Sequence, residues 1–130
     1  MAKVKINTFL WAGWLLLVTY ASLATFPERS GHFIHVPHLD KWVHFLFYGV
    51  MAFLGAKAIK ELWGQKVRIV QAIFFSFGFA VVYGIIIEGL QYGFTENRQG
   101  DILDILANTL GALAGIYLVY RRYSGTWPLK

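Results

Sequence analysis

Acid, base and histidine side chains recur at helical spacing inside an otherwise apolar stretch of this chain. In DKWVHFLFYG, residues 40–49, Asp40, His44 and Tyr48 are spaced i, i+4, i+8, and Lys41 lies beside them at one end. On a helix such a series shares one face. A histidine between a carboxylate and a phenol can take up and release protons near neutral pH. Asp40 is equally suited to cap the first turn of its own helix.

Two later segments carry the same types of side chain. Glu88 and Gln91 are spaced i, i+3 near the end of a long apolar run, and Arg98 follows them. A further stripe has the spacing i, i+3, i+7, i+10 and i+14: Asp101, Asp104, Asn108, Gly111 and Gly115. Its polar half could join a site, and its glycine half would allow close packing against another helix.

Membrane-spanning helices are the elements that would position these side chains. Of the 130 residues, 57% are hydrophobic and only 15% are charged, whereas soluble domains carry about 25% charged residues. The chain has no cysteine, which excludes a disulfide framework and a thiolate metal site. The net charge of +5 does not indicate nucleic-acid binding, because the basic residues lie between apolar runs.

Four apolar runs are long enough to cross a bilayer, which takes about 20 residues. They cover residues 6–26, 42–59, 69–92 and 102–120. The first run has no polar stripe, which predicts a scaffold helix. It ends in small residues that resemble a signal-peptide cleavage site, but it is longer than a usual signal core, so we expect it to remain as a span. The sequence predicts an all-α, integral membrane four-helix bundle that forms one domain over residues 1–130.

The distribution of lysine and arginine predicts how this bundle is oriented. Nine of these residues lie in the N-terminal segment, the 57–68 link and the C-terminal segment, against three in the two other links. The positive-inside rule therefore predicts that both termini are cytoplasmic. The polar side chains of the second, third and fourth runs then fall in the outward half of the membrane, and we predict one polar site that opens to the outer face.

The charge of this predicted site limits its chemistry. Four acids and two bases leave a formal charge of −2 when His44 is neutral: Asp40, Glu88, Asp101 and Asp104 against Lys41 and Arg98. An uncompensated charge is costly in a low-dielectric environment. Protonation of His44 or of one acid, access of water, or a divalent cation held by His44, Glu88 and Asp104 would relieve it.

The residues leave three functions open. In a binding protein, Lys41 and Arg98 would contact the phosphate or carboxylate of an envelope lipid or lipid-linked ligand. In an enzyme acting on a lipid-linked envelope substrate, His44 would be the general base, and a cation could assist hydrolysis. No nucleophile motif such as G-x-S-x-G supports that second reading. In a structural or interaction subunit, the polar side chains would only hold the bundle together.

Three ordered blocks resemble the VanZ-like family of small bacterial membrane proteins: DKWVHFLFYG at 40–49, EGLQ at 88–91 and RQGDILDILANTLGALAG at 98–115. The residues that match are Asp40, Lys41, His44, Phe45, Tyr48, Glu88, Gln91, Arg98, Asp104, Asn108 and Gly111. The resemblance implies a multi-pass protein of the bacterial cytoplasmic membrane with a role at the cell envelope, and it brings no settled biochemical activity. The family's namesake is associated with low-level resistance to the glycopeptide teicoplanin, which makes a glycopeptide-type ligand a further candidate. This chain has no resistance-specific feature.

Overall fold

The structure is a computed structural model that describes residues 5–23, 39–94 and 102–126. Its elements are α1 (Ile6–Leu23), α2 (Leu39–Trp63), a 3₁₀ helix (Gly64–Lys66), α3 (Ile69–Phe94) and α4 (Ile102–Thr126). The described residues form no β-strand. All four α-helices are long and apolar enough to cross a membrane. These observations confirm the predicted all-α architecture with four spans, while the cytoplasmic location of both termini remains a prediction.

The helix α2 extends beyond the predicted span of residues 42–59 at both ends. It begins at Leu39, so Asp40 lies in its first turn and not at the N-cap position that the sequence suggested. At the other end, the ammonium of Lys60 donates to the carbonyl of Gly64 at 3.0 Å. Gly64 has a φ of +57°, a left-handed conformation that commonly ends helices and that glycine adopts without strain. Hydropathy marks only the apolar middle of a helix, which explains the difference.

The helices α2 and α4 run parallel and form the most extensive helix pair of the bundle. A side chain at Gly111 would collide with the backbone of Phe45, and one at Gly115 would collide with the backbone of Gly49. The two backbones therefore touch at positions where only glycine fits. This contact sets how far α4 is shifted along α2, and it fixes which polar residues of the two helices meet.

The helix α1 packs on α2 and α3 and is fastened to them by polar contacts. The indole of Trp14 donates to the carbonyl of Phe47 at 2.8 Å, and the hydroxyls of Thr19 and Tyr83 are hydrogen-bonded to each other. The sequence predicted a scaffold helix without a polar stripe. The structure shows that single polar side chains, spaced along α1, attach it to its neighbours.

Candidate functional site

A polar network joins α2 and α4 at the end of the bundle where both helices begin. The ammonium of Lys41 lies 2.7 Å from Oδ1 of Asp104, and Nδ1 of His44 lies 2.9 Å from Oδ1 of Asn108. The second ring nitrogen of His44, Nε2, lies 3.7 Å from Oδ2 of Asp104. Because Lys41 and His44 are almost one turn apart, as are Asp104 and Asn108, the two pairs stack along the helix interface.

The members of this network face the interior of the bundle. His44 is 8% exposed, Asp104 9% and Asn108 2%. Lys41 lies closer to the end of the bundle, and 22% of its side-chain surface is exposed. Ionisable side chains within a membrane are costly and face a bundle interior or a wet cavity. Here each charge has an opposite partner, since the Lys41 ammonium compensates the Asp104 carboxylate.

The ring of His44 lies between two polar partners, one at each of its nitrogens. When Nδ1 carries a proton and donates it to the amide oxygen of Asn108, Nε2 of the neutral ring is a proton acceptor. Nε2 faces the carboxylate of Asp104. Asn108 thus orients the ring, and the Asp104 carboxylate lies beside its second nitrogen.

The helix α3 adds Glu88 and Gln91 to the same end of the bundle. Both are buried, with 4% and 2% of their surface exposed. The side-chain amide of Gln91 donates to the backbone carbonyl of Ser22 in α1 at 2.9 Å. Gln91 therefore fastens α1 to α3, a role that the sequence did not suggest.

Below His44, the interior is shaped by Gly84. A Cβ atom at this glycine would lie 3.0 Å from Nδ2 of Asn108 and 3.1 Å from Cε2 of Tyr48. Nδ2 of Asn108 and the hydroxyl oxygen of Tyr48 are both buried, and neither has a hydrogen-bond partner among the described residues. Buried polar atoms are normally paired. The candidate site therefore has hydrogen-bonding capacity that the described side chains leave unused.

The structure does not describe three of the side chains that the sequence predicts for the site. Arg98 and Asp101 lie outside the described residues, as does the side chain of Asp40. Within the described part of the chain, no group of three or more histidine, aspartate or glutamate side chains could hold a metal ion. The cation set of His44, Glu88 and Asp104 thus gains no support from the structure.

Two residues make contacts between helices that the sequence did not predict. Tyr83 connects α1 to α3, because its hydroxyl is hydrogen-bonded to that of Thr19, and its side chain packs against the core cluster that includes Tyr48. Glu61, at the opposite end of the bundle, binds the first turn of α1 through Asn7 and Thr8. The sequence shows Glu61 only as a single glutamate close to the end of an apolar run. Its partners Asn7 and Thr8 are distant in sequence, so the contact could not be predicted.

The fold and this network define a class: a four-span membrane protein in which α2, α3 and α4 bury ionisable side chains at one end of the bundle. The model of the VanZ/LLP1 family matches residues 4–123. The chain belongs to the VanZ/LLP1 family, which confirms the resemblance carried by its three ordered blocks. No curated protein and no solved structure matches the chain significantly.

Proposed function

We propose that this protein binds a cell-envelope lipid or a lipid-linked precursor in the bacterial cytoplasmic membrane and holds its polar head group at the α2–α4 network. The observation that carries the proposal is the buried contact of Lys41 and His44 with Asp104 and Asn108. Such a set is expensive to place in a membrane. Simple helix packing does not need it, because the glycine contacts already join α2 to α4.

The chemistry of the network fits a head group that carries both phosphate and hydroxyl or amine groups. Lys41 offers an ammonium, partly exposed at the end of the bundle, which can bind phosphate oxygens. Asp104 and the unprotonated Nε2 of His44 can accept from hydroxyl or ammonium groups. Arg98, which the sequence places in the link between α3 and α4, would supply a second cation.

Defined phosphate amphiphiles test this proposal directly. Farnesyl phosphate is titrated into the protein in phosphatidylcholine nanodiscs, and the bound fraction is measured by native mass spectrometry. We expect Lys41→Met to weaken binding at least about tenfold, since one charge-assisted contact is lost. Lys57→Met is the matched control, because Lys57 lies over the ring of Phe53 on the same helix and outside the network.

The other functions give different results in the same experiment. A glycopeptide-type ligand would show Lys41-dependent binding of teicoplanin with none of farnesyl phosphate. An enzyme would release phosphate from the probe and lose this activity in His44→Ala. If His44→Ala, Glu88→Ala and Asp104→Asn all fail to accumulate in the membrane, the network is structural. Equal binding by the wild type, Lys41→Met and Lys57→Met would refute the head-group site.

A further inference from the structure

An apolar groove lies between α2 and α4 on the outside of the bundle. It is lined on α2 by Phe45, Gly49 and Val50 and on α4 by Ala114, Gly115 and Leu118. The groove exists because the glycines bring the two backbones together, while larger side chains rise on either side. We infer that this groove binds a hydrocarbon chain of the amphiphile whose head group lies at Lys41. The inference rests on the proposed function and names the class of its ligand.

The register of α2 connects the groove to the polar network. Lys41, Phe45 and Gly49 are spaced i, i+4, i+8, so they follow one another along a single face. Phe45 and Gly49 line the groove, and Lys41 is the next residue of this series towards the end of the bundle. The Lys41–Asp104 ion pair therefore lies one turn beyond the groove, and an apolar groove with a charged pair next to it complements a chain with a charged head.

The distance from Lys41 to the far end of the groove is close to the thickness of one leaflet of a bilayer. On α2 the groove itself runs from Phe45 to Phe53, which is roughly 12 Å at about 1.5 Å per residue. Lys41 lies one helical turn beyond Phe45, so the far end of the groove is roughly 18 Å from Lys41. Half of the hydrocarbon core of a bilayer is about 15 Å thick. A lipid whose head lies at Lys41 would thus follow the groove with its chain inside one leaflet. A second copy of the protein would match the apolar part but would leave the charged end unexplained.

Chain length and groove volume can be varied separately. Hexyl, octyl and dodecyl phosphate are titrated in a nonionic detergent, and affinity is measured by native mass spectrometry. For the wild type we expect affinity to rise with chain length. Ala114→Phe should remove most of this rise and weaken dodecyl phosphate binding at least about tenfold, because the ring occupies the groove. The matched control is Ala12→Phe, since Ala12 is exposed on α1 away from the groove.

A dodecyl phosphate with a photoreactive terminal diazirine provides a readout that does not depend on a folded variant. We expect its cross-links on the wild type to fall on residues of α2 and α4 around Phe53 and Leu118. Cross-links distributed over the lipid-exposed faces of α1 and α3 would overturn the inference.

The outcomes separate this inference from the proposed function. If Lys41→Met weakens all three probes and Ala114→Phe changes none of them, the head-group site stands and the groove does not hold the chain. If Ala114→Phe abolishes the chain-length dependence and Lys41→Met has no effect, the groove binds chains and the proposed head-group site is wrong. A dimer that Ala114→Phe converts to a monomer would assign the groove to a second copy and overturn the inference.

Discussion

The two ends of the bundle each hold a carboxylate against a neighbouring helix, and they use it differently. At one end, the carboxylate of Glu61 accepts four hydrogen bonds of 2.9–3.1 Å, from the backbone N–H and the side chain of both Asn7 and Thr8. At the other end, Asp104 is shared between Lys41 at 2.7 Å and His44 at 3.7 Å. The first arrangement fills the accepting capacity of a carboxylate, which is about four sites.

This difference separates a structural fastener from a candidate binding site. The first turn of a helix has free backbone N–H groups, and Glu61 satisfies two of them in α1 from a different helix. At the end of the bundle that carries the α2–α4 network, here called the polar end, the Tyr48 hydroxyl and Nδ2 of Asn108 have no hydrogen-bond partner among the described residues. The Glu61 carboxylate therefore has no accepting capacity left over, whereas the Lys41–Asp104 pair lies near polar atoms whose capacity the described residues do not use.

The largest effect should come from separating α4 from α2, which would destroy the polar end alone. Gly111→Leu forces a side chain into the backbone of Phe45, and we expect a loss of about 3 kcal/mol or more, since a backbone cannot yield as a side chain can. The Glu61 contact joins α1 to α2 without α4 and should survive. Thermal unfolding in detergent measures the loss. Gly78→Leu is the control, because no described atom outside its own turn of helix lies within 4 Å of its Cβ position. Equal losses in the two variants would contradict the backbone contact.

At the opposite end, where Glu61 binds α1, Glu61→Ala should destabilise the protein by about 2 kcal/mol, because the first turn of α1 loses the acceptors of its N–H groups. Glu61→Gln keeps one accepting oxygen and should lose about half as much. Neither variant should change binding of farnesyl phosphate, since Glu61 lies at the other end of the bundle. Urea unfolding and the nanodisc binding assay give the two quantities. A loss of binding that exceeds the loss of folded protein would show that the two ends are coupled.

The ion pair of the polar end calls for a double-mutant cycle. Lys41→Met and Asp104→Asn should each cost about 1–2 kcal/mol, because each leaves a charge without its partner, and the double variant should recover most of this stability. Binding should stay lost in the double variant, because neither the ammonium nor the carboxylate is restored. Recovery of binding together with stability would mean that the pair only holds α2 to α4.

Much of the fold could be predicted from hydropathy, but helix ends and helix pairing could not. Four spans follow from the lengths of the apolar runs. The predicted span 42–59 missed the ends of α2, since charged residues such as Lys60 and Glu61 continue the helix outside the apolar part. Likewise α4 continues past residue 120 to Thr126.

For the site, the sequence identified which residues share a face but not which residues meet. The spacing of His44 with Tyr48 and of Asp104 with Asn108 is a local property of a helix. The pairing of His44 with Asn108 depends on the relative shift of α2 and α4, which the contacts of Gly111 and Gly115 set. The contact of Gln91 with α1 could not be predicted, because its acceptor is the backbone carbonyl of Ser22. Every residue has such a carbonyl, so no residue type in the sequence indicates this partner.

The substitution with the smallest expected effect on stability, Gly84→Ala, is also the most selective test of the polar end. Gly84→Ala places a methyl group 3.0 Å from Nδ2 of Asn108 and 3.1 Å from Cε2 of Tyr48, so these side chains must move by a few tenths of an ångström. Alanine favours the helix over glycine by about 1 kcal/mol, which should offset the crowding and leave a net change below about 1 kcal/mol. The amide of Asn108 should nevertheless shift away from Nδ1 of His44, which it contacts at 2.9 Å.

We therefore expect Gly84→Ala to alter the ¹⁵N resonances of the His44 ring and to weaken farnesyl phosphate binding several-fold at nearly unchanged stability. Gly89→Ala, on the same helix, should alter neither, because no described residue of another helix lies within 4 Å of its Cβ position. Because Gly84 touches the polar end without belonging to the ion pair, its substitution separates the orientation of His44 from the charge around it. Lower stability with an unchanged His44 spectrum would mean that Gly84 serves packing alone. The unused donor of Asn108 would then be incidental, and the contrast between the two ends would rest on the ion pair.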